Sequence, residues 1–151
     1  MNIKTVGQQP QIVLVVQNVD AASITTGRGV ALTQAAASVA ANSLGMAAIT
    51  AAVANNKNFI GVAIEDIPLN GTGRVVVWGY AASVALSQSV GSFTITAGDQ
   101  LLLGGNAGTF TSVATPEGTS TQYYKYVVFG ALSQATVSNP LPYGTGIVRG
   151  L

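Results

Sequence analysis

The sequence predicts an all-β protein built from two similar barrel-like or sandwich-like units that follow an N-terminal arm. Three observations lead to this prediction. Short stretches alternate between apolar and polar residues, Gly-rich turns separate them, and one residue pattern occurs in both halves of the chain. The 151 residues suit one domain, because domains most often contain about 100–150 residues.

The pattern that occurs twice has a nearly constant spacing. The stretch Ile24 to Leu32 (ITTGRGVAL) matches Ile95 to Leu103 (ITAGDQLLL), with 71 positions between matching residues. Further along, FIGVA matches VFGAL, and GTGRVVVWGY matches GTGIVRGL, in the same order. We therefore predict an arm at residues 1–23 and a single β domain at 24–151, made of units 24–80 and 95–151 with a connector at 81–94.

In the first unit, the dipeptide Asn70-Gly71 predicts a turn, because both residue types tolerate a positive φ. A strand, Arg74 to Tyr80, follows this turn, and Pro68 just before it favours an edge or loop. The alanines of Gln34 to Asn55 favour a helix, but the matching part of the second unit suggests strands with a loop. Both interpretations of this segment stay open.

In the second unit, Ser92 to Thr96 alternates strictly between polar and apolar residues, as a half-buried strand does. The turn Gly104-Gly105-Asn106 predicts a hairpin between Gln100–Leu103 and Ala107–Val113. The segment Gln122–Leu132 has aromatic residues on both faces, so we expect it inside the protein or in a subunit contact.

The composition points to a protein that works through contacts rather than through charge. Only 11 of the 151 residues are charged, or 7%, against about 25% in an average soluble domain. Such a chain either covers its surface with Ser, Thr, Asn and Gln or buries much of that surface against partners, and we favour partners. The six basic residues are scattered and the net charge is +1, which argues against nucleic-acid binding. No run of about 18 apolar residues exists, so no membrane span is expected.

The sequence contains no constellation typical of an enzyme. Cysteine and histidine are both absent, which removes the commonest proton shuttle, metal ligand and thiol nucleophile. Glu65 and Asp66 are adjacent carboxylates, but neighbours in an extended segment point to opposite faces and cannot flank one bond. The acids Asp20, Asp99 and Glu117 stand apart in turn-like contexts. We expect no catalytic residues, no cofactor and no metal.

The motifs carry a resemblance to a known family. TAGDQLLL, a short hairpin, VVFGALSQAT and a closing GTGIVRGL, echoed by FIGVAIEDI and GTGRVVVWG, resemble the capsid decoration (cement) proteins of tailed bacteriophages. The resemblance covers residues 24–151 and concerns the fold pattern, with no catalytic signature. It implies a structural virion protein on the outer capsid surface, often a trimer, whose partners are the major capsid protein and copies of itself.

We expect the stretch IVLVVQ, residues 12–17, to pair with a neighbouring chain or with the capsid by strand addition. We also expect the Trp and Tyr residues to pack in the core or in interfaces. The predicted capsid or inter-subunit contact residues are Ile12, Val13, Leu14, Val15, Val16, Trp78, Tyr80, Tyr123, Tyr124 and Tyr126. The alternative is a carbohydrate-binding or adhesin-like module of a phage head fibre that stacks sugars on these rings.

Overall fold

The fold is all-β, as the sequence predicts. The computed structural model describes residues 11–33, 47–52, 57–86, 94–95, 98, 100–103, 106–112, 126–129, 135–136 and 143–150. The strands of this described part are β1 (Gln11–Asn18), β2 (Gly29–Leu32), β3 (Ala47–Thr50), β4 (Phe59–Ala63), β5 (Thr72–Ala85), β6 (Thr94–Ile95), β7 (Gln100–Leu103), β8 (Phe110–Ser112), β9 (Tyr126–Phe129), β10 (Ala135–Thr136) and β11 (Tyr143–Arg149). The same residues contain no α-helix.

The first five strands form a closed barrel. Around the ring, β1 neighbours β3, β3 neighbours β2, β2 neighbours β4, and β4 neighbours β5, which returns to β1. The β1–β5 ladder is antiparallel and runs from Gln11 opposite Gly79 to Gln17 opposite Thr72. The β1–β3 pair is parallel. The β1–β3 pairing involves Gln17 and Asn18 of β1, while residues 11–16 pair on one side with β5.

The remaining strands extend from the C-terminal half of β5. This strand has 14 residues, and after its pairing with β1 and β4 it continues beside β11. From there the sheet order is β11, β9, β7 and β8. A parallel bridge between Leu86 and Phe110 brings β8 back to the end of β5. A separate two-stranded sheet pairs β6 with β10.

Two hydrophobic cores lie on opposite faces of the barrel sheet. Neighbouring residues separate between them: Val75 belongs to one core and Val76 to the other, as do Val30 and Ala31. The barrel core is Val16, Ile24, Val30, Ala48, Ile60, Ala63, Ile67, Val75 and Val77. The second core is Ala31, Ala51, Phe59, Val62, Val76, Ala81, Val84, Leu86, Leu101, Phe110 and Val148. The second core therefore joins the outer wall of the barrel to the strands that follow β5.

Backbone contacts tie the two parts of the chain closely together. The Gly29 N–H donates to the Gly108 carbonyl at 2.8 Å, and the Gly108 N–H donates to the Ala51 carbonyl at 2.6 Å. Gly108 has φ +72° and lies against Arg28 and Thr50, so this loop position suits only glycine. Phe59 and Phe110 meet edge to face, with ring centroids 5.8 Å apart.

The predicted N-terminal arm, residues 1–23, is not confirmed. Residues 11–18 form β1, which pairs with β5 and β3 of the same chain, and strand addition to a neighbouring chain or to the capsid stays a prediction. The buried Asn18 side chain fixes the end of β1, since its Nδ2 donates to the carbonyls of Ala22, Ile67 and Pro68 at 2.9, 3.0 and 3.2 Å. The two N–H groups of this amide are shared among the three carbonyls, which satisfies the buried side chain and anchors it locally.

The local predictions agree with several strands and one turn. Asn70 has φ 59°, and the Gly71 N–H donates to the Pro68 carbonyl, which confirms a turn before β5. The hairpin of the second unit is confirmed by the antiparallel pairing of β7 with β8. β5 runs on to Ala85, inside the predicted connector 81–94.

The structure decides between helix and strand for only part of the segment 34–55. Residues 47–50 form strand β3, while 34–46 and 53–55 lie outside the described residues. Helix is therefore wrong for residues 47–50, where tertiary pairing with β2 and β1 outweighs the intrinsic preference of alanine.

Candidate interaction surface

A β-bulge in β5 determines which of its side chains reach the surface. The partners of β1 jump from Trp78, opposite Ile12, to Val76, opposite Val13, so Val77 is the extra residue. Gly79 follows with φ +103°, a conformation that favours glycine. Beyond the bulge, Ala81 joins the second core, and Trp78 and Tyr80 lie on the opposite face.

This face, which we call the β5 face, carries apolar side chains on three strands, with the charged Arg149 among them. Ile12 of β1 lies opposite Trp78, which on its other side lies opposite Arg149 of β11. In the next row Tyr80 lies opposite Ile147. Side chains directly opposite on a sheet are about 4.5–5.5 Å apart at Cβ, so these groups form a continuous surface.

The β5 face is unusually exposed for its apolar content. Ile12 is 49% exposed, Trp78 45% and Ile147 36%, while Tyr80 is half-buried. Val13 and Val15 of β1, 37% and 59% exposed, lie on the other face of the sheet, since Val13 is opposite Val76, which faces the second core. Contiguous exposed apolar groups on a small domain mark sites of interaction.

The predicted contact residues of β1 differ in exposure. Ile12, Val13 and Val15 are exposed, as a contact role requires. Val16 is buried in the barrel core, and Leu14 is half-buried and packs against that core. The contact role of the β1 residues stays a prediction, with Ile12, Val13 and Val15 the most accessible of them.

The aromatic candidates are only partly described. Trp78 and Tyr80 both lie on the β5 face. Tyr126 begins β9, where it pairs with Arg149, but its side chain lies outside the described residues, as do Tyr123 and Tyr124 altogether. Ile147 was missed, although the alternation of Gly146, Ile147, Val148 and Arg149 in β11 could have indicated it.

The adjacent acids lie in the bend after β4 and have different partners. Glu65 accepts hydrogen bonds from Arg74, and the two side chains form an ion pair at 2.8 Å. These bonds lower the pKa of Glu65 and raise that of Arg74. Asp66 accepts from the backbone N–H and the hydroxyl of Thr26, at 2.7 and 2.8 Å, which lowers the pKa of Asp66. Both acids stabilise loops at the barrel rim.

Asp20 has a similar structural role. Burial raises the pKa of Asp20, but hydrogen bonds from Thr50 and from the Ala21 N–H outweigh this effect, and the pKa lies below its ordinary value. The Thr50 N–H donates to Asp20 Oδ2 at 2.8 Å, which links the loop after β1 to the end of β3. The carboxylate is thus engaged in holding the barrel together.

The structure brings no acidic cluster together in the part of the chain that it describes. Within the described ranges, no three Asp, Glu, His or Cys side chains are close enough to hold a metal ion. Those same ranges include no helix that is long and apolar enough to cross a membrane. The sequence matches no protein-family model and no curated protein. The most distinctive surface of the described residues is therefore the apolar β5 face.

Proposed function

We propose that this chain is a structural virion protein that binds the outer surface of a phage capsid as a homotrimer and stabilises it. The observation that carries the proposal is the exposed apolar β5 face on a chain with only 7% charged residues. Such a surface supports broad association without chemistry. The resemblance to capsid decoration proteins supplies the kind of partner, the major capsid protein.

The energetics suit a protein that acts through contact area. An interface that removes about 1,000 Å² of apolar surface from water has a gross driving term of about 25 kcal/mol, before the costs of association and ordering. Binding at many equivalent positions on a shell adds avidity. Apolar contacts are not screened by ions, so we expect binding to depend only weakly on salt.

We further propose that the chain contains two similarly built units, as the sequence pattern suggests. In the first, β2 has β3 and β4 as neighbours, and β4 pairs with β5. In the second, β7 has β8 and β9 as neighbours, and β9 pairs with β11. The 71-residue spacing relates Gly29–Leu32 of β2 to Gln100–Leu103 of β7, and Gly27 and Gly98 both have positive φ.

The pairs outside these ladders follow the same scheme. Ile24 bridges Ile67 in the first unit, and Ile95 pairs with Ala135 in the second. In the first unit, β1 is antiparallel to β5 and parallel to β3. In the second unit the end of β5 takes the corresponding place, since it is antiparallel to β11 and forms a parallel bridge to β8 through Leu86. A duplicated unit explains why one long strand takes part in both halves.

The test of capsid binding is co-sedimentation. The purified chain is mixed with mature heads of the phage whose genome encodes it, and the bound fraction is measured from about 0.05 M to about 0.5 M NaCl. We expect saturable binding that changes less than about threefold over this range. A chain that stays in the supernatant, or occupancy that is lost with added salt, contradicts the proposal.

The part played by β1 is tested by substitution rather than by deletion. Deleting residues 1–17 removes most of β1 from the barrel, so loss of binding would report unfolding. Changing the exposed Val13 and Val15 to Thr keeps the strand and its pairing. We expect lower occupancy on heads with nearly unchanged thermal unfolding, and occupancy equal to the wild type rejects a contact role for this side of β1.

The second candidate function is a carbohydrate-binding or adhesin-like module. The observation that favours it is the 45% exposure of the Trp78 ring, which a sugar could stack on. A glycan array separates the two functions. A cement protein shows no sugar preference, whereas selective glycan binding that is lost in Trp78→Ala supports the alternative.

A further inference from the structure

We propose that the wall formed by Leu102 and Ile147 of the second unit, together with Tyr80 of β5 beside them, is the seam at which the first unit of another copy docks. The inference rests on the proposed function, because it assumes the homo-oligomer and the two similar units. It deepens that function by naming the face and the occupant. The docked partner is a second copy of this chain.

The argument starts from a contact inside one chain. On the outer wall of the barrel, Ala31 and Val76 are fully buried and belong to the second core. They are covered by residues of the second unit, among them Leu101 and Phe110. The wall of one unit is therefore built to receive the other unit.

The second unit has a corresponding outer wall, and its side chains are less buried. Positions 71 residues after Ala31 and Val76 are Leu102 and Ile147, both large and apolar. Strand alternation places them on the outer side, since Leu101 and Val148 are the neighbours that face the second core. Leu102 is only half-buried and Ile147 is 36% exposed, against full burial of their counterparts.

The packing between the two units of one chain also predicts which residue of the other copy contacts this seam. Within the chain, a Cβ added at Gly29 would meet Leu103 of the second unit at 3.0 Å, so Leu103 lies directly against the first unit. The position 71 residues before Leu103 is Leu32, at the end of β2. Because the position 71 residues after Gly29 is Gln100, Leu32 of one copy, half-buried against its own barrel core, is expected beside Gln100 on the outer wall of the next copy.

This contact is head to tail, because the first unit of one copy meets the second unit of another. Such interfaces form closed rings when the rotation between copies is right, and open filaments otherwise. Three copies of a two-unit chain close a ring of six similar units. The ring uses one type of contact alternately within and between chains.

The experiment measures the mass of the full chain in solution by size-exclusion chromatography with light scattering. The wild type is expected at about 46 kDa, three times the 15.2 kDa chain. Ile147→Asp is expected as the monomer at the same concentration, with at least a tenfold weaker association. Leu69→Asp is the matched control, because Leu69 is also apolar and 50% exposed but lies in the turn before β5.

A second measurement does not depend on a disruptive variant. The chain has no cysteine, so single-cysteine variants can be cross-linked without background. A mixture of Ile147→Cys and Leu32→Cys chains, treated with a short bis-maleimide, is expected to give a covalent dimer of the two variants. The pair Leu69→Cys and Leu32→Cys is expected to give none.

The outcomes separate this inference from the proposed function. A wild-type trimer whose Ile147→Asp variant is also trimeric, or no selective cross-link, overturns the seam and leaves capsid binding standing. A wild type that is monomeric at every concentration overturns the seam as well. If that monomer still sediments with heads, only the capsid part of the function survives, and if it does not, both are rejected.

Discussion

The buried amide of Asn18 offers the sharpest test of how the N-terminal segment is held. In Asn18→Asp the side chain keeps its shape, but the Nδ2 group that donates to Ala22, Ile67 and Pro68 becomes a carboxyl oxygen. At pH 7 a carboxylate there would face three carbonyl oxygens in a fully buried site. The group is forced to protonate instead.

The size of the effect follows from this geometry. Protonation at pH 7 costs about 4 kcal/mol, from about 1.4 kcal/mol for each of about three units above an ordinary pKa of about 3.9. The protonated acid keeps one O–H donor in place of the two N–H donors of the amide, so one donor is lost, worth about 1 kcal/mol. We expect unfolding to become easier by about 4–6 kcal/mol, and the melting temperature to fall by at least about 10 °C.

The assay is urea and thermal unfolding of wild type and variant at one protein concentration, followed by circular dichroism. The folded-state pKa of the new carboxyl is raised, so the destabilisation present at pH 7 should shrink as the pH falls toward about 4. Gln17→Glu is the control, since it makes the same amide-to-acid change on the outward side of β1 and should change stability by less than about 0.5 kcal/mol. Equal stabilities of the two variants at pH 7 would refute the burial and bonding of Asn18.

Three further predictions concern the cores and a rim acid. Gly61→Ala places a methyl group 2.0 Å from the Val76 carbonyl oxygen, so we expect a loss of about 3 kcal/mol in urea unfolding, and a neutral variant contradicts the close approach of β4 and β5. Phe110→Ala removes the ring that meets Phe59 and should cost about 3–5 kcal/mol, whereas a cost below about 1 kcal/mol means that the two halves are not joined by this core. The pKa of Asp20 is lowered by folding, so its contribution is present at neutral pH and is lost as the pH falls below about 4. The stability gap between wild type and Asp20→Asn should therefore close in acid, and a gap that is constant with pH would contradict it.

The sequence was most informative where local chemistry decides the structure. The turn at Asn70-Gly71 depends on residues that tolerate a positive φ, and the Gln100–Leu103 strand on its own apolar run. Each of these two predictions depends only on residues that are close together in the sequence. The all-β class could be predicted from them without knowledge of the partners of any strand.

The features that could not be predicted depend on distant contacts. Nothing in IVLVVQ distinguishes a free strand from one that closes a barrel, and the outcome is set by β5 and by the carbonyls that surround Asn18. The bulge at Val77 turns Trp78 outward, and it follows from the mismatch between two ladders rather than from local sequence. Ile147 can be recognised as part of the β5 face only when its pairing with Tyr80 is known.

The most direct test of the central claim is cryo-electron microscopy of mature heads incubated with a saturating amount of the purified chain. The account predicts ordered added density on the outer surface, in threefold clusters of the chain, with Ile147 lying between copies. Heads that remain bare, or single copies scattered on the shell without contact to one another, would contradict it.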